Sequence, residues 1–318
     1  MAPANDYTII GIDGGGTRTR GILSINGEVK ARSNSGTTRV GTVGVGESCE
    51  RLLNVITDLC EQTGTESTEL DAVVIGLAGV WLEDEKKRSA HLLKTLARTQ
   101  KMTLNDLVVI SDAELALQGA FDGGDGMIMI VGTGSIGLAR AGKNQLYRCG
   151  GWGIELDDEG SGAWLGKEGL SAIVRDIDGR SGKTSLTARL GEMFPQIDLH
   201  EPRTIVKAYA ERSFEYQMMT PIVMQCAEEG DKVCLDIIQR SAMHLMEILN
   251  TLAKNYKQKT IPVALMGGVV EADTLLAKLL DEAIKKNKQF KRVKPIGSAL
   301  DGAVSLGVAI AEESAFED

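Results

Sequence analysis

Short apolar runs alternate with amphipathic segments along the first third of the chain. The runs Tyr7–Ile12, Asp71–Ala78 and Leu107–Ile110 have the length and composition of buried strands. Apolar residues recur at helical spacing over Glu47–Gln62 and Glu83–Arg98. Because strands and helices alternate, we predict an α/β domain whose sheet contains parallel strands.

The first strand continues into a glycine-rich turn and a hairpin. The turn is Asp13-Gly14-Gly15-Gly16-Thr17, and a second apolar strand follows over Gly21–Ile25. Asn26-Gly27 comes next, a strong hairpin signal because both residues accept a positive φ. Glu28–Ser33 is then predicted as the returning strand.

The same order of elements returns in the middle of the chain. A strand over Met127–Val131 leads through the tight turn Gly132-Thr133-Gly134-Ser135 into a strand over Ile136–Arg140. The next turn is Gly142-Lys143-Asn144, and Gln145–Arg148 returns as a strand. We interpret the repeated order as two duplicated domains, each of which opens with a hairpin.

The second half is richer in helical patterns than the first. We predict helices near 162–176, 201–217, 232–256, 272–286 and 298–313, and a strand over Ile261–Met266 that ends in Gly267-Gly268. The predicted domains are residues 1–119 and 120–297. We expect the C-terminal helix, near 298–318, to pack back on the first domain.

Charge and cysteine content exclude several classes of protein. The 318 residues carry a net charge of −9, which is not the electrostatic footprint of a protein that binds nucleic acid or an anionic membrane. We find no apolar run of the ~18–20 residues that a membrane helix needs, and no signal-like stretch at the N-terminus. The five cysteines form no CxxC pair, so we expect no disulfide framework and no zinc site, and a cytoplasmic protein.

Glycine is unusually frequent. It makes up 37 of the 318 residues, about 12% of the chain, whereas roughly 7% is typical. In the first turn, Gly14, Gly15 and Gly16 allow backbone N–H groups to surround an anion, and the Thr17 hydroxyl adds a donor. Asp13 would repel a phosphate group unless Mg²⁺ lay between them. The turn is neither a Walker A loop nor a Rossmann fingerprint, and the alternative is an ordinary glycine-rich hairpin turn.

Two further glycine turns strengthen the nucleotide interpretation. Gly132-Thr133-Gly134-Ser135 occupies the matching place in the second copy, which makes a chance occurrence less plausible. Gly267-Gly268 follows an apolar strand and precedes a helix, and the missing side chains would allow a flat ring such as adenine to lie against the backbone.

Four segments together resemble the motifs of an ATPase superfamily. They are similar to the phosphate-1, connecting, phosphate-2 and adenosine motifs of actin, Hsp70 and the sugar kinases: GIDGGGT at Gly11–Thr17, SDAELALQGA at Ser111–Ala120, IVGTGS at Ile130–Ser135 and LMGGV at Leu265–Val269. The resemblance implies two duplicated ribonuclease-H-like (actin-like ATPase) domains with a cleft for ATP and sugar between them.

Within that superfamily, two loops resemble the N-acetylglucosamine and glucosamine kinases of the BadF/BadG/BcrA/BcrD-type family. These loops are Gly150-Gly151-Trp152-Gly153 and Asp157-Asp158-Glu159-Gly160-Ser161-Gly162. The resemblance implies that Asp158 contacts the sugar beside Gly151, Trp152 and Gly153, with Ser135 also in the substrate site. The alternatives are that the acidic run is a solvated loop and that Trp152 belongs to the core.

The resemblance also assigns the remaining roles. Asp112 would be the catalytic base, Asp13 would hold Mg²⁺, and the glycine turns with Thr17 and Thr133 would bind ATP. A purely structural alternative for Asp112 is an N-cap or first-turn acid of the helix that starts near Ala113.

Two positions depart from the family pattern. Arg39 falls where the N-acetylglucosamine kinases commonly hold an Asn against the sugar, and Ile136 falls where they carry another Asn. Both departures leave phosphate transfer untouched and put the identity of the sugar in question. A cation at Arg39 would favour an acidic sugar such as a muramic acid, or it would simply face solvent.

We therefore expect a cytoplasmic, homodimeric kinase that uses ATP and Mg²⁺ to phosphorylate an amino sugar, at its 6-hydroxyl. One alternative is an activator ATPase of a 2-hydroxyacyl-CoA dehydratase, although such proteins need cysteines that hold an iron–sulfur cluster and the chain has no closely spaced pair. The other alternative is a non-catalytic sugar sensor of the same fold.

Overall fold

The computed structural model describes residues 7–142 and 145–317, and the chain divides into two compact units. Unit 1 comprises Met1–Asp125 and Lys294–Asp318, and unit 2 comprises Gly126–Val293. Each unit has its own five-stranded sheet flanked by helices.

The sheet of unit 1 has the strand order β3-β2-β1-β4-β5. A hairpin meander forms its first three strands, and β4 and β5 continue the sheet parallel to β1. The strands are β1 (Thr8–Gly14), β2 (Arg18–Ile25), β3 (Glu28–Gly36), β4 (Ala72–Leu77) and β5 (Leu107–Ser111). The turn between β2 and β3 is the predicted one, since Asn26 and Gly27 have φ values of 57° and 78°.

Helices cover this sheet, and they include one from the C-terminal end of the chain. They are α1 (Val40–Val43), α2 (Val45–Thr63), α3 (Glu83–Thr99), α4 (Asp112–Phe121) and α12 (Ala299–Glu317), with a 3₁₀ turn at Ser67–Glu69. Helix α12 packs against β1 and α4. Gly119 of α4 makes this approach possible, because a Cβ there would stand 1.9 Å from the carbonyl oxygen of Ser298.

The sheet of unit 2 has the order β8-β7-β6-β9-β10, which is the same topology as that of unit 1. Strands β6, β7 and β8 are successively antiparallel, and β9 and β10 are parallel to β6. The strands are β6 (Gly126–Val131), β7 (Ser135–Ala141), β8 (Gln145–Gly150), β9 (Ile261–Met266) and β10 (Phe290–Arg292). The predicted α/β class and the duplication are therefore confirmed.

Seven helices of unit 2 lie within the described part of the chain. They are α5 (Gly162–Ile177), α6 (Leu186–Met193), α7 (Thr204–Ala210), α8 (Thr220–Glu228), α9 (Lys232–Ala253), α10 (Gly268–Glu271) and α11 (Leu275–Lys286), with a 3₁₀ turn at Tyr216–Met219. A large apolar core joins α5, α8, α9 and α11 to the sheet.

Some element predictions for unit 2 are wrong. The single helix predicted near 201–217 is broken, because α7 ends at Ala210, Arg212 adopts a φ of 53° and Phe214 turns into the core, where it is 2% exposed. The helix predicted from residue 272 begins at Leu275. Of the turn predicted after β7, Lys143 and Asn144 lie outside the described residues.

Candidate functional site

The acidic candidates of unit 1 lie at the carboxyl end of its parallel strands. Asp13 pairs with Gly76 of β4, and Gly76 pairs with Ile110 of β5, one residue before Ser111 ends that strand. Asp112 follows directly as the first residue of α4. Ligands of α/β proteins bind at this edge of a sheet, so the topology places both carboxylates where such a site forms.

Two neighbouring residues cap α4. The Ser111 hydroxyl accepts a hydrogen bond from the Glu114 backbone N–H at 3.1 Å, and a Glu114 carboxylate oxygen accepts one from the Ser111 N–H at 2.7 Å. Asp112 Oδ1 accepts a hydrogen bond from the neighbouring Ala113 N–H at 2.9 Å. The capping role considered for Asp112 is thus filled by Ser111 and Glu114, and Asp112 is a first-turn acid.

Burial raises the pKa of the Asp112 carboxyl to about 6. The Ala113 N–H bond opposes this shift, the negative charge of Asp13 adds to it, and the positive charge of Arg39 opposes it. A carboxylate with a pKa just below neutrality is mostly ionised at pH 7 and is a stronger base than an exposed one. Asp112 is therefore suited to accept a proton from a hydroxyl group.

Asp13 has a partner that the sequence analysis missed. Its Oδ2 accepts a hydrogen bond from the guanidinium of Arg20 at 2.5 Å, across the β1–β2 pair. This ion pair keeps a negative charge in a half-buried position beside Asp112. The hard carboxylate oxygens of Asp13 suit Mg²⁺, which commonly binds one or two carboxylates and retains several waters.

The first glycine turn is a tight one with an open face. The Gly15 N–H donates to the Arg18 carbonyl at 3.1 Å, and the Thr37 hydroxyl donates to the Gly15 carbonyl at 3.1 Å. A Cβ at Gly14 would stand 2.6 Å from Thr38 Oγ1, whereas one at Gly16 would meet nothing within 4 Å. Gly14 is therefore needed for packing, and the surface at Gly16 and the exposed Thr17 is accessible to an anion.

A cavity of about 440 Å³ in unit 2 brings the other two glycine turns together. Its lining combines predicted nucleotide-binding residues with the N-terminal ends of α5 and α8: Gly132, Thr133, Gly162, Gln217, Thr220, Pro221, Met224, Gly268, Val269 and Thr274. The volume is within the range of small-molecule and cofactor sites. The N-terminus of α5 adds the positive end of its dipole to this lining.

The backbone of this cavity is well defined. The N–H groups of Gly162 and Ala163 donate to the carbonyls of Gly132 and Thr133, at 2.9 and 3.0 Å. Gly267 has a φ of 99°, and a Cβ there would stand 2.4 Å from the Val131 carbonyl oxygen. At Gly132 and Gly268 a Cβ would meet nothing within 4 Å, which leaves flat backbone surface for a ligand.

The cavity residues from 217 to 224 were not predicted, because the predicted helix near 201–217 ends there and no element was predicted before residue 232. The dipeptide Thr220-Pro221 is the sequence signal that marks the start of α8, since Pro is favoured in the first turn of a helix. The Thr220 hydroxyl donates to the Gly162 carbonyl at 2.7 Å and so joins α8 to α5 beside the cavity.

The glycine-rich loop after β8 holds its acids in place. Asp158 has a φ of 55°, and its Oδ1 accepts the Gly153 N–H at 3.3 Å. Asp157 Oδ2 accepts the Trp152 N–H, also at 3.3 Å. Trp152 is 66% exposed, with the Arg148 guanidinium 4.5 Å from its ring centroid, so the alternative of a core tryptophan is wrong.

Ser135, a predicted substrate residue, and Ile136, a departure from the family pattern, both support this loop. Ser135 is buried, and its hydroxyl donates to the Glu159 carbonyl at 2.9 Å. Ile136 packs against Gly151, where a Cβ would stand 2.8 Å from its Cδ1. Gly151 has a φ of 75°, and no side chain fits between it and Ile136.

The family model of the BadF/BadG/BcrA/BcrD ATPases matches residues 10–307 of the chain. The chain belongs to this family. It is 28% identical over 303 residues to an N-acetylmuramic acid/N-acetylglucosamine kinase of Clostridium acetobutylicum, covering 93% of this chain and 95% of the relative. It is 27% identical to an N-acetyl-D-glucosamine kinase of Dictyostelium discoideum, covering 87% and 90%.

A crystal structure from Chromobacterium violaceum, described as that of a candidate N-acetylglucosamine kinase, has the same architecture. Its TM-score is 0.74 at 26% identity, with 96% of this chain and 100% of that chain covered. The resemblance seen in the sequence motifs is confirmed for the family and for the two-domain ATPase fold.

Proposed function

We propose that the protein is a kinase that transfers the γ-phosphoryl group of ATP to the 6-hydroxyl group of an amino sugar. The acceptor class comprises N-acetylglucosamine, glucosamine and related N-acetylhexosamines. Relatives named as kinases of such sugars align with this chain over nearly its whole length. The family's ATPase character supports ATP as the phosphoryl donor.

The environment of Asp112 is the observation that most directly supports the proposal. Phosphoryl transfer requires positioning and charge neutralisation, together with a group that takes the proton of the attacking hydroxyl. Asp112 is a half-buried carboxylate at the ligand-binding edge of the sheet, its pKa is raised to about 6, and its helix is capped by other residues. We assign it the role of general base.

The cavity of unit 2 is our proposed nucleotide site. Met224, Pro221 and Val269 offer apolar contacts for adenine beside the open backbone at Gly268. The Thr133 hydroxyl is our proposed donor to the phosphate oxygens, on a turn closed by the Gly132 N–H bond to the Gly134 carbonyl at 2.9 Å. In unit 1, Gly14, Gly15, Gly16 and Thr17 form the matching phosphate turn.

Asp13 is our proposed ligand for Mg²⁺. When bound, Mg²⁺ supplies positive charge that neutralises the phosphate oxygens during transfer. Arg20 orients the Asp13 carboxylate by holding its Oδ2, which leaves Oδ1 for the ion or its waters. The rest of the coordination is expected to come from phosphate oxygens and water.

The sugar is assigned to Asp158 and the loop of Gly151, Trp152 and Gly153. The Asp158 carboxylate accepts hydrogen bonds and is held by the Gly153 N–H, while the exposed ring of Trp152 offers an apolar wall. A few placed polar groups beside an apolar surface are typical of a small-molecule site.

A coupled assay of ADP release tests the proposal directly. The purified protein is given ATP and Mg²⁺ with N-acetylglucosamine, glucosamine, N-acetylmannosamine or glucose, and the product is analysed by mass spectrometry and NMR. We expect ADP release that depends on an amino sugar and a product phosphorylated at the 6-hydroxyl. ADP release that is independent of every sugar would contradict the kinase assignment.

The homodimer and the cytoplasmic location belong to the same proposal. The five cysteines are free thiols, which suits a reducing compartment. Within the described residues, no helix has the length and hydropathy to cross a membrane. Light scattering during size-exclusion chromatography tests the dimer.

The activator-ATPase alternative receives no support from the cysteines. Cys49, Cys60, Cys226 and Cys234 are buried in the cores of the two units, where they pack as small apolar side chains. Burial also raises the pKa values of the Cys49 and Cys60 thiols, which disfavours the thiolate form that binds iron.

A further inference from the structure

Arg39 lies on a firmly anchored segment between β3 and α1. The residue before it, Thr38, is buried, its hydroxyl shares a 2.9 Å hydrogen bond with the hydroxyl of Thr19, and its carbonyl accepts the Ser48 hydroxyl at 2.7 Å. The Arg39 N–H donates to Thr37 Oγ1 at 3.1 Å. The N–H of the following residue, Val40, donates to the Ala78 carbonyl at 3.3 Å.

The stem of the Arg39 side chain lies beside the carboxyl end of β4. Its Cγ stands 3.6 Å from where a Cβ of Gly79 would be, and Gly79 follows the end of β4 by two residues. In the sheet, β4 lies between β1, which carries Asp13, and β5, which leads into Asp112. The guanidinium is therefore placed at the same sheet edge as the proposed general base.

The guanidinium of Arg39 is exposed and has no partner on unit 1. It makes no ion pair and no hydrogen bond with any side chain or backbone group that the structure describes in that unit. Arg20 by contrast is neutralised by Asp13. The charge of Arg39 acts on the Asp112 carboxylate, but its guanidinium donors are not taken up by any hydrogen bond among the described residues of unit 1. They are therefore available to an anion, and a guanidinium forms strong, directional bonds with a carboxylate.

We propose that Arg39 is a specificity-determining residue that selects an amino sugar carrying a carboxylate group. This inference rests on the proposed kinase function and names the acceptor more narrowly. The carboxylate of the sugar pairs with Arg39 while its reacting hydroxyl faces Asp112. Because Arg39 lies beside the proposed general base, which faces the acceptor hydroxyl, we assign the cation to the acceptor. The other anion proposed at this sheet edge is the phosphate of ATP at the turn from Gly14 to Thr17, and a comparison of a charged with a neutral acceptor separates the two.

A matched pair of acceptors isolates the effect of the negative charge on the sugar. N-acetylmuramic acid carries a lactyl carboxylate on an N-acetylglucosamine frame, and its lactyl carboxamide is nearly isosteric but neutral. For the wild-type protein we expect kcat/KM to favour the acid over the carboxamide by about 10- to 150-fold, the range for a hydrogen bond to a charged group. All assays are run at pH 8, well above the pKa of about 6 of Asp112, to limit the effect of its protonation on the ratio.

Variants then assign the preference to one residue. In Arg39→Gln we expect the ratio of acid to carboxamide to fall to near one, and in Arg39→Lys to be partly retained because the charge remains. Arg32→Gln removes an equally exposed arginine from β3, the strand that leads to Arg39, and should leave the ratio as in the wild type. An Arg39→Gln protein that keeps the wild-type ratio would overturn the inference.

The kinase function and the role of Arg39 can be rejected separately. If the wild-type protein phosphorylates N-acetylglucosamine and does not distinguish the acid from the carboxamide, the inference about Arg39 is rejected and the kinase function stands. If it phosphorylates no amino sugar, the kinase function is rejected and the inference falls with it.

Discussion

The carboxylate of Asp158 lies directly against Gly134, so that a Cβ at Gly134 would stand 2.7 Å from Asp158 Oδ2. Gly134 belongs to the turn assigned to phosphate, and Asp158 is the residue assigned to the sugar. The hydroxyl of Ser135 adds a second link, because it donates to the Glu159 carbonyl at 2.9 Å. The phosphate turn and the acidic loop of unit 2 are therefore one packed structure.

Replacing Asp158 tests its role in sugar binding. Asp158→Ala removes a charged acceptor, and a hydrogen bond to a charged group is worth about 1.5–3 kcal/mol. We expect KM for the sugar to rise roughly 10- to 150-fold and KM for ATP to rise far less, measured by steady-state kinetics. Unchanged values for both substrates would mean that the acidic run is a solvated loop.

The contact with Gly134 makes a second prediction about the same carboxylate. Gly134→Ala must displace Asp158, and we expect it to raise KM for the sugar nearly as much as Asp158→Ala does. In the double variant the second substitution should add little, because both remove the same placed carboxylate. Fully additive effects in this double-mutant cycle would show that Gly134 acts on the nucleotide alone.

Asp112→Asn tests the general base. The substitution keeps the shape of the side chain and removes its ability to accept a proton, so we expect kcat to fall by at least ~10²-fold with little change in ATP affinity. The helix keeps its cap through Ser111 and Glu114. Ser111→Ala is the matched control, which should cost about 1 kcal/mol of stability and lower kcat much less than Asp112→Asn does.

The raised pKa of Asp112 predicts a pH dependence of both rate and stability. Burial and the charge of Asp13 raise the pKa, and the Ala113 N–H and Arg39 oppose the rise, with a net value of about 6. We expect kcat/KM to fall as the pH drops below about 6, because the protonated acid cannot act as a base. A kcat/KM at pH 5 that is close to the value at pH 7 would contradict this assignment.

The stability of the folded protein changes with pH in the opposite direction to the rate, because the contribution of Asp112 falls as the pH rises. The folded protein binds this proton more tightly than the unfolded chain does, so the charged carboxylate costs stability above pH 6 and costs none below pH 4. Asp112→Asn should therefore have a higher Tm than the wild type at pH 7 to 8. The difference should vanish near pH 4, as measured by thermal denaturation across the pH range.

The position of Asp112 at the edge of the unit 1 sheet was predictable because local sequence pattern determines it. An apolar run followed by Ser111-Asp112 indicates a strand that ends where a helix begins, and the structure has that boundary. The Asp13–Arg20 ion pair was missed because it depends on hairpin register. Once the turn places Gly14 opposite Thr19, Asp13 and Arg20 are direct cross-strand neighbours.

The wall of the cavity in unit 2 was not predictable from local pattern. The break after Ala210 depends on burying Phe214 in the core of unit 2, which is a tertiary effect that overrides the helical spacing of the segment. As a result, Gln217, Thr220 and Met224 reach the cavity from the end of the predicted helix and from the segment after it, for which no element was predicted. Only Pro221 marked a new helix start in the sequence.

The two glycines after β9 should respond differently to the same substitution. Gly267 has a φ of 99° and its Cβ would stand 2.4 Å from the Val131 carbonyl, whereas a Cβ at Gly268 would meet nothing within 4 Å. Gly267→Ala should thus lower Tm, since strained backbone of this kind costs on the order of 1–3 kcal/mol. Gly268→Ala should keep a near-wild-type Tm and weaken nucleotide binding, because its methyl group enters the surface assigned to adenine. Thermal denaturation and calorimetric titration with ADP separate the two effects. ADP affinity that is unchanged in Gly268→Ala would place the adenine elsewhere, since the methyl group would then occupy space that no ligand uses.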